Sequence, residues 1–503
     1  MATAFNSSDD VIERKIQVTS TGTASEALSD VYEISRSVQW ILKGDFKRVA
    51  LQFPDELLVD APAVATKIHS EASEALVFLL GDTSYGSCCV DEVGAQHYKA
   101  DCIIHYGHAC LSPTTRLPVL YVFGRSPIDV QDCTTKIIQV CSEVGKTVLF
   151  FDTTYCHAID EIDQILQQTS VPPVLAELRI PKGLKSTAVL AESAGPLQKD
   201  VDASEACLPS VVDSSKSVMC ACGRKITLPD GDKIEDYSMI FIGDPSCATL
   251  INLMMTFNKC QFYTYNPSTL CCQRETLQVN KALMKRYYLI ERVKDASIVG
   301  IVAGTLGIAK YKEVMDHVKS LFKAAGKKSY TFVVGKLNPA KLANFAEVDV
   351  YVLVACPESS LLDLSDFYRP VVTPLEVEFA LNKAREWTGA YSSDFQELLP
   401  GGSLYVEAGE SFDEDGTADV SLISNKVRYL GVRTAPEVSS VPSKEMVLRS
   451  DALAVSSVAE NAGEFLINRS WQGLERKLGE TPVAKAVEGT SGIAASYQHE
   501  PGT

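Results

Sequence analysis

An α/β architecture of three related parallel-sheet domains, plus an extended C-terminal tail, is predicted for this 503-residue chain. Three observations predict it. Apolar, β-branched runs of about six residues recur along the sequence, and a turn and then a helical pattern follow each of them. The runs are almost continuously apolar rather than alternating, which is how strands read when a parallel sheet is covered on both faces. With 46% hydrophobic and 22% charged residues the chain can bury large cores. Its length suits about three domains at roughly 150 residues each.

Taken in order, an N-terminal extension covers residues 1–29 and the first block covers 30–126. Its strands are VALQF (Val49–Phe53), ALVFLLG, DCIIHYG and PVLYVFG, with the helical pattern LLVDAPAVATKIHSEA behind the first. The second block, 127–272, holds TVLFFD (Thr147–Asp152), VLAELRI (Val174–Ile180), MIFIGD (Met239–Asp244) and QFYTY. Between them, about residues 192–235 are rich in Ser, Ala, Asp and Lys and are expected to form a mobile insertion. The third block, 273–400, opens with the charged helical pattern KALMKRYYLIERVKDA. It continues through IVGIVAG, the helix KYKEVMDHVKSLFKAAG, YTFVVG, a short helix, VDVYVLVAC and PVVTP. From 401 to 503 the composition turns to Gly, Ser, Glu and Asp, as in GESFDEDGTAD, and a partly disordered tail is expected. Within that tail RSWQGLERKLG carries Trp471 and Leu474 and is suited to docking on a surface.

A net charge of −17 with no Lys/Arg-rich block argues against a nucleic-acid partner, which needs a basic face for phosphates. The opening MATAFNSSDDVIERKI has no basic stretch leading into an apolar core, so no secretory signal is expected. SIVGIVAGTLGIA (Ser297–Ala309) is shorter than the ~20 residues of a membrane helix. A cytoplasmic protein without membrane contact is therefore expected, and its 15 cysteines should be thiols or metal ligands rather than disulfides.

The cysteines are not scattered. Five apolar strands run into one within a few residues of their carboxyl ends: Cys88/Cys89, Cys110, Cys156, Cys247 and Cys356. Ligand sites of open parallel sheets gather at those ends. Thiols from several domains meeting there would favour an iron–sulfur cluster or zinc over hard cations. A cluster held by three cysteines leaves one iron open to a substrate. Against this stands the ordinary use of cysteine as a small buried hydrophobe, the better account of Cys102, Cys133 and Cys141. Cys271/Cys272 follows no apolar strand and reads as a loop feature, whereas His105 and His108 stand where they can orient a cluster through hydrogen bonds. GTLGIAK (Gly304–Lys310) lacks the spacing of a phosphate loop and reads more simply as a tight strand-to-helix turn.

The motifs VALQFPDELL, GDTSYGSCCVDEVGAQH, DCIIHYGHACLSPT, KRYYLIERVKDA, GTLG, NPAKLANF, VDVYVLVACPES and SWQGLE occur in an order that carries a family likeness. Together they resemble the second-subunit family of the eukaryotic 2-(3-amino-3-carboxypropyl)histidine synthases, which act in the first step of diphthamide biosynthesis. The resemblance runs from about residue 30 into the tail. It implies three α/β domains around a central 4Fe-4S cluster, in a heterodimeric transferase of the non-conventional radical S-adenosylmethionine type. That enzyme moves the 3-amino-3-carboxypropyl group to a histidine of translation elongation factor 2. The homologous catalytic subunit 1 is the implied partner and does the chemistry, while the second subunit's cluster helps to reduce it. A small iron-binding zinc-ribbon protein and a reductase are the implied electron donors.

By position, GSCC, YGHAC and VLVACPES give Cys89, Cys110 and Cys356 as implied cluster ligands, with Cys88 and Cys222 as alternatives. One departure stands out. Archaeal and catalytic-subunit relatives place the middle ligand in a glycine–cysteine motif of the second domain. Here the corresponding stretch is MCACGRKI, with Arg224 after Gly223 where cysteine is expected. The middle ligand is therefore expected at Cys110 instead, which favours an accessory over a catalytic role. A cluster-free structural partner, or an independent enzyme with a metabolite site, are the competing readings.

Overall fold

In the computed structural model the described residues are 22–81, 86–180, 217–275, 279–335, 337–361, 367–407, 417–421, 423 and 427–430. All lie in a compact unit that runs to Val438; Ser439–Thr503 form a second unit, so Trp471 and Leu474 fall outside the described residues. Three separate sheets carry the fold, as the apolar runs predict.

The first contains β1 (Arg48–Gln52), β2 (Leu76–Leu79), β3 (Cys102–Tyr106) and β4 (Val119–Val122), all parallel in the order β2-β1-β3-β4. The two inner strands are buried almost throughout, and alternate side chains serve different faces. Val49, Leu51, Cys102 and Ile104 pack under α1 (Ile34–Lys43) and α2 (Ala61–Glu71), through Ile34, Val38, Val64 and Ile68. Ala50 and Ile103 face the other way, into a core shared with the second sheet. A short α3 (Glu92–His97) follows β2, capped by the Asp91 side chain on the Gly94 amide.

The helix α4 (Val130–Val144) is the wall between these sheets. Asp129 caps its start by accepting from the amides of Gln131 and Asp132. Its buried Cys133, Ile137, Val140 and Cys141 fall at the spacing of one helical face, against Leu149 and Ile240 of the second sheet. Burial of each large apolar side chain is worth about 1.5–3 kcal/mol, so this face holds the two sheets as one core. Cys102, Cys133 and Cys141 are packing residues, as expected.

The second sheet has the order β12-β11-β10-β5-β6. Its strands are β5 (Thr147–Phe151), β6 (Val174–Leu175), β10 (Ser238–Ile242), β11 (Phe262–Asn266) and β12 (Cys271–Arg274), with α5 (Ile159–Leu166) between β5 and β6. Three departures from the sequence reading occur here. VLAELRI is split: β6 pairs with β5, while β7 (Glu177–Leu178) joins a small antiparallel sheet. That sheet is completed by the hairpin of β8 (Ser217–Ala221) and β9 (Arg224–Leu228), so the described part of the expected insertion, 217–235, is ordered structure. Its polar-apolar alternation buries Arg224, Ile226 and Leu228 on one face. Cys271/Cys272 is not a loop feature but the antiparallel edge strand β12, too polar to advertise itself as a strand.

The third sheet is parallel, β14-β13-β15-β16, from β13 (Ile298–Ala303), β14 (Lys328–Val333), β15 (Val350–Val354) and β16 (Val371–Val372). Helices α7 (Val279–Asp295), α8 (Tyr311–Ala324) and α11 (Pro374–Leu381) cover one face, and Leu342 of α9 (Pro339–Ala343) packs on the other. In the expected tail, β17 (Thr417–Val420) and β18 (Val427–Leu430) form a hairpin. No described helix is long and apolar enough to cross a membrane.

Candidate metal centre

Every cysteine among the described residues is a free thiol, and four of them converge: Cys88, Cys89, Cys110 and Cys356 have their sulfurs within 4.8 Å of one another. They come from three strand ends. Cys88 and Cys89 lie before α3, Cys110 follows β3, and Cys356 follows β15 at the start of α10 (Pro357–Ser360). The Cys88 and Cys356 sulfurs are 3.6 Å apart, and those of Cys89 and Cys110 are 3.8 Å apart.

Buried polar side chains on the inner strands of the first sheet hold the first loop. Gln52, at the end of β1, donates through Nε2 to the Cys89 carbonyl (2.8 Å) and accepts from the Asp91 amide (2.9 Å). His105, on β3, donates through Nε2 to the Ser87 carbonyl at 3.2 Å. Burial lowers the His105 pKa to about 4, so the ring is neutral and this donation fixes its tautomer. The second loop is tied to the first through the Cys110 amide, which donates to the Cys88 carbonyl at 3.1 Å. Its return is braced by Glu92, fully buried in α3, whose carboxylate accepts from the amides of Thr115 (3.2 Å), Arg116 (2.7 Å) and Leu117 (2.8 Å).

In the third loop the fully buried Cys356 sulfur caps α10, accepting from the Ser359 amide at 3.3 Å. GTLG packs against the other two loops. A Cβ on Gly307 would sit 2.4 Å from the Val90 carbonyl oxygen, and the Ala309 amide donates to the Pro113 carbonyl at 2.9 Å. This turn is a packing surface against the loops that carry Val90 and Pro113.

An ion-pair network beside the thiols ties the second and third loops to the end of β5. His108 Nε2 lies 2.7 Å from Glu358, and its Nδ1 lies 3.7 Å from Asp152 at the end of β5. Thr249, on α6 (Ala248–Thr256), donates to the other Glu358 oxygen at 2.7 Å. Burial opposes charge on His108, but the hydrogen bonds to Asp152 and Glu358 outweigh it and lift its pKa to about 10. Burial likewise works against the Asp152 carboxylate, and His108 pulls its pKa down to about 2. His108 therefore carries charge between two carboxylates, Asp152 after the second sheet's β5 and Glu358 after the third sheet's β15.

The thiols share their protons unevenly. Hydrogen bonds from Cys110, Cys88 and Cys89 bring the Cys356 pKa well below the ordinary thiol range, whereas hydrogen bonding to Cys110 first, and then to Cys356, pushes Cys88 and Cys89 well above it. The anion settles first on the sulfur with most donors. Four soft sulfur ligands, with no carboxylate among them, suit an iron–sulfur cluster or zinc and not a hard cation.

Cys156, Cys247 and Cys222 stand outside the group. Cys222 and Gly223 form the two-residue turn between β8 and β9, with φ of 49° and 71°. Burial pushes the Cys222 thiol up to about 12. Arg224, where a cysteine is expected in catalytic relatives, is 2% exposed and bonds the carbonyls of Cys222 (2.7 Å) and Phe151 (2.9 Å). The hairpin tip presses on the Cys110 loop: a Cβ on Gly223 would lie 2.7 Å from that of Leu111. Gly223→Val is therefore expected to cost about 1–3 kcal/mol in unfolding free energy from urea titration. A cost within experimental error would show that the tip is free to move off the loop. A cavity of about 370 Å³ opens beside Cys110, lined among others by Arg179, Lys310, Glu313 and Asp394.

Comparison with known proteins adds to this geometry. Residues 53–392 match the family model of the diphthamide synthesis proteins. The 2-(3-amino-3-carboxypropyl)histidine synthase subunit 2 of Danio rerio is 46% identical over 99% of this chain and 98% of its own length. The chain belongs to the diphthamide synthesis family. The subunit 2 of Gallus gallus is 42% identical over 99% of both chains, and that of Schizosaccharomyces pombe 38% identical over 94% of this chain and 91% of its own. Among solved structures, Dph2 from Pyrococcus horikoshii with a 4Fe-4S cluster superposes with a TM-score of 0.50 at 21% identity. That match covers 72% of this chain and 92% of the archaeal one, and it supports the α/β fold of the family.

Gln52, Glu92, Asp152 and Glu358 are site residues that sequence reasoning missed. Only Glu358 carried a visible signal, standing two residues after a strand-end cysteine.

Proposed function

We propose that this chain is the accessory iron–sulfur subunit of a heterodimeric 2-(3-amino-3-carboxypropyl)histidine synthase. In this reading Cys89, Cys110 and Cys356 hold a 4Fe-4S cluster that helps to reduce the cluster of a homologous catalytic subunit. That partner transfers the aminocarboxypropyl group of S-adenosylmethionine to a histidine of elongation factor 2. A small zinc-ribbon protein and a reductase supply the electrons. The observation that carries the reading is the convergence of thiols from three strand ends far apart in sequence.

When bound, the cluster supplies one-electron transfer. The chain's own residues do the rest. Cys356 is the most buried of the four sulfurs and would hold the metal from the third sheet. Gln52 and His105 fix the loop of Cys88 and Cys89, and the His108–Glu358 pair keeps the loops of Cys110 and Cys356 in register. Arg224 replaces a thiol with a buried cation turned into the second domain, which supports an accessory and not a catalytic role.

The test is anaerobic purification with the catalytic partner. Wild type is expected to be brown and to contain iron and sulfide. Cys356→Ser should lose essentially all of both and slow reduction of the partner. Full modification of elongation factor 2 by an iron-free variant would overturn the relay reading.

A second reading has one observation in its favour. A single tetrahedral zinc with bonds of about 2.3 Å sets its sulfurs ~3.8 Å apart, close to the 3.6 and 3.8 Å seen here. The chain would then be a cluster-free structural partner. Metal analysis separates the two, since zinc at one ion per chain with no sulfide supports this alternative.

A further inference from the structure

Two buried hydroxyls beside the thiols, those of Tyr121 and Thr114, have no hydrogen-bond partner among the described residues. We propose that both are donors to the sulfur of a cluster seated here, and that they raise its reduction potential. This rests on the iron–sulfur reading above.

The placement begins with β4. Its side chains alternate, so Leu120 and Val122 enter the core under α1 and α2, while Tyr121 and Phe123 enter the core on the opposite face. On that face His105 of β3 is the register partner of Tyr121, and the two ring centroids are 5.7 Å apart. His105 holds the first thiol loop through Ser87, and the phenol beside it lines a cleft formed with Cys88, Cys89 and Cys110. Thr114 lines the same cleft from the segment that returns from Cys110, one residue before the amides that Glu92 holds. Tyr121 is 2% exposed and Thr114 5%. Both hydroxyl oxygens are out of contact with solvent, and the cleft has no room for a water molecule. Burial, and then the neighbouring Cys110, Glu92 and Cys89, hold the Tyr121 pKa well above the ordinary range. The phenol therefore keeps its proton and meets sulfur as a donor.

A buried hydroxyl without a partner costs free energy, and native structures keep few of them. Packing accounts for the ring of Tyr121, which phenylalanine would fill as well, but not for its hydroxyl. The acceptors that the cleft does offer are sulfurs. Metal-bound thiolates carry charge, and charge-assisted hydrogen bonds are the strong ones. One-electron reduction adds an electron and no proton, so negative charge on the sulfurs rises and each donor holds the reduced state more tightly than the oxidised one. Hydrogen bonds to the sulfurs are among the factors that set the potential of an iron–sulfur cluster. Both hydroxyls thus make this subunit easier to reduce.

The experiment is a dye-mediated redox titration of the heterodimer with dithionite, followed by the EPR signal of the reduced cluster. The catalytic chain carries serine in place of its own cluster cysteines. Tyr121→Phe and Thr114→Val should each keep the iron and sulfide of wild type and make reduction about tenfold less favourable, a fall of ~59 mV for a one-electron couple. Thr114→Ser keeps a hydroxyl and should titrate with wild type. A second measurement needs no metal: in urea unfolding of the metal-free chain Tyr121→Phe should match or exceed wild-type stability, because no bond is lost. A potential equal to wild type in either variant, or a less stable metal-free Tyr121→Phe, overturns the proposal. If Tyr121→Phe does not retain iron, the contrast between Thr114→Val and Thr114→Ser decides by the same criterion. Wild type without iron or sulfide is a different result, and it ends the iron–sulfur reading itself.

Discussion

Replacing Glu92 with alanine is expected to lower the folding stability of this chain by about 3 kcal/mol. The carboxylate is the acceptor for three consecutive amides, Thr115, Arg116 and Leu117, in the segment that returns from Cys110 to β4. Alanine supplies no acceptor, and because Leu117 is buried water does not replace its bond, although it can reach the amides of Thr115 and Arg116. A buried donor left without a partner costs about 1–3 kcal/mol, and bonds to a charged acceptor are at the stronger end. Glu92→Gln keeps one acceptor oxygen in place and should recover about half of the loss. Urea unfolding of the metal-free chain measures both. A Glu92→Ala midpoint equal to wild type would mean that the return segment finds other acceptors. On the proposed iron–sulfur reading the same variant should also release iron faster, because the Cys110 loop loses its anchor.

Glu376→Ala should be at least as costly, at about 3–5 kcal/mol. Glu376 on α11 is completely buried and faces Arg286 of α7 at 3.2 Å, itself only 7% exposed. It also accepts from the Thr373 amide and the Tyr391 hydroxyl. Burial raises the Glu376 pKa despite the opposing pull of Arg286, so the pair does not fully offset its own desolvation. Such a pair is dear to break and cheap to replace. Alanine strands a guanidinium in the core, whereas Arg286→Met with Glu376→Leu together should stay near wild-type stability. If the double replacement is no better than Glu376→Ala, the loss comes from the helix cap and not from the stranded charge. The raised pKa fixes the sign of the pH dependence. Stability from this group is present below the ordinary glutamate range near 4.3 and declines as pH rises through the higher folded value. Glu376→Gln removes that decline.

Much of this fold can be read from residues alone, because buried parallel strands need unbroken apolar runs. TVLFF and VYVLV are both buried at every position. Strand-end cysteines were legible for the same reason, since a strand's end is visible where its apolar run stops. Sequence could not say that Cys88 and Cys89 face the same point, because that follows from a turn held by Gln52 and His105, which lie 37 and 18 residues away from their acceptors. Glu92 looks like an ordinary acid in the first turn of a helix, and its true partners are more than twenty residues downstream. The β8–β9 hairpin was hidden by the Ser- and Lys-rich stretch before it, and β12 by a short sequence, CCQR, without a β-branched or aromatic residue.

The thiols meet across 268 positions, from Cys88 to Cys356. A nascent chain emerging from the ribosome displays Cys88, Cys89 and Cys110 long before the last sulfur exists. Until the third sheet is made, the early thiols lack the wall that encloses them and stay open to oxidation or to stray metal. The four-thiol group is therefore complete only once the third sheet is made, and a chain cut short before residue 356 leaves it unbuilt. The assembled four-thiol group is in effect a sign that synthesis has passed residue 356.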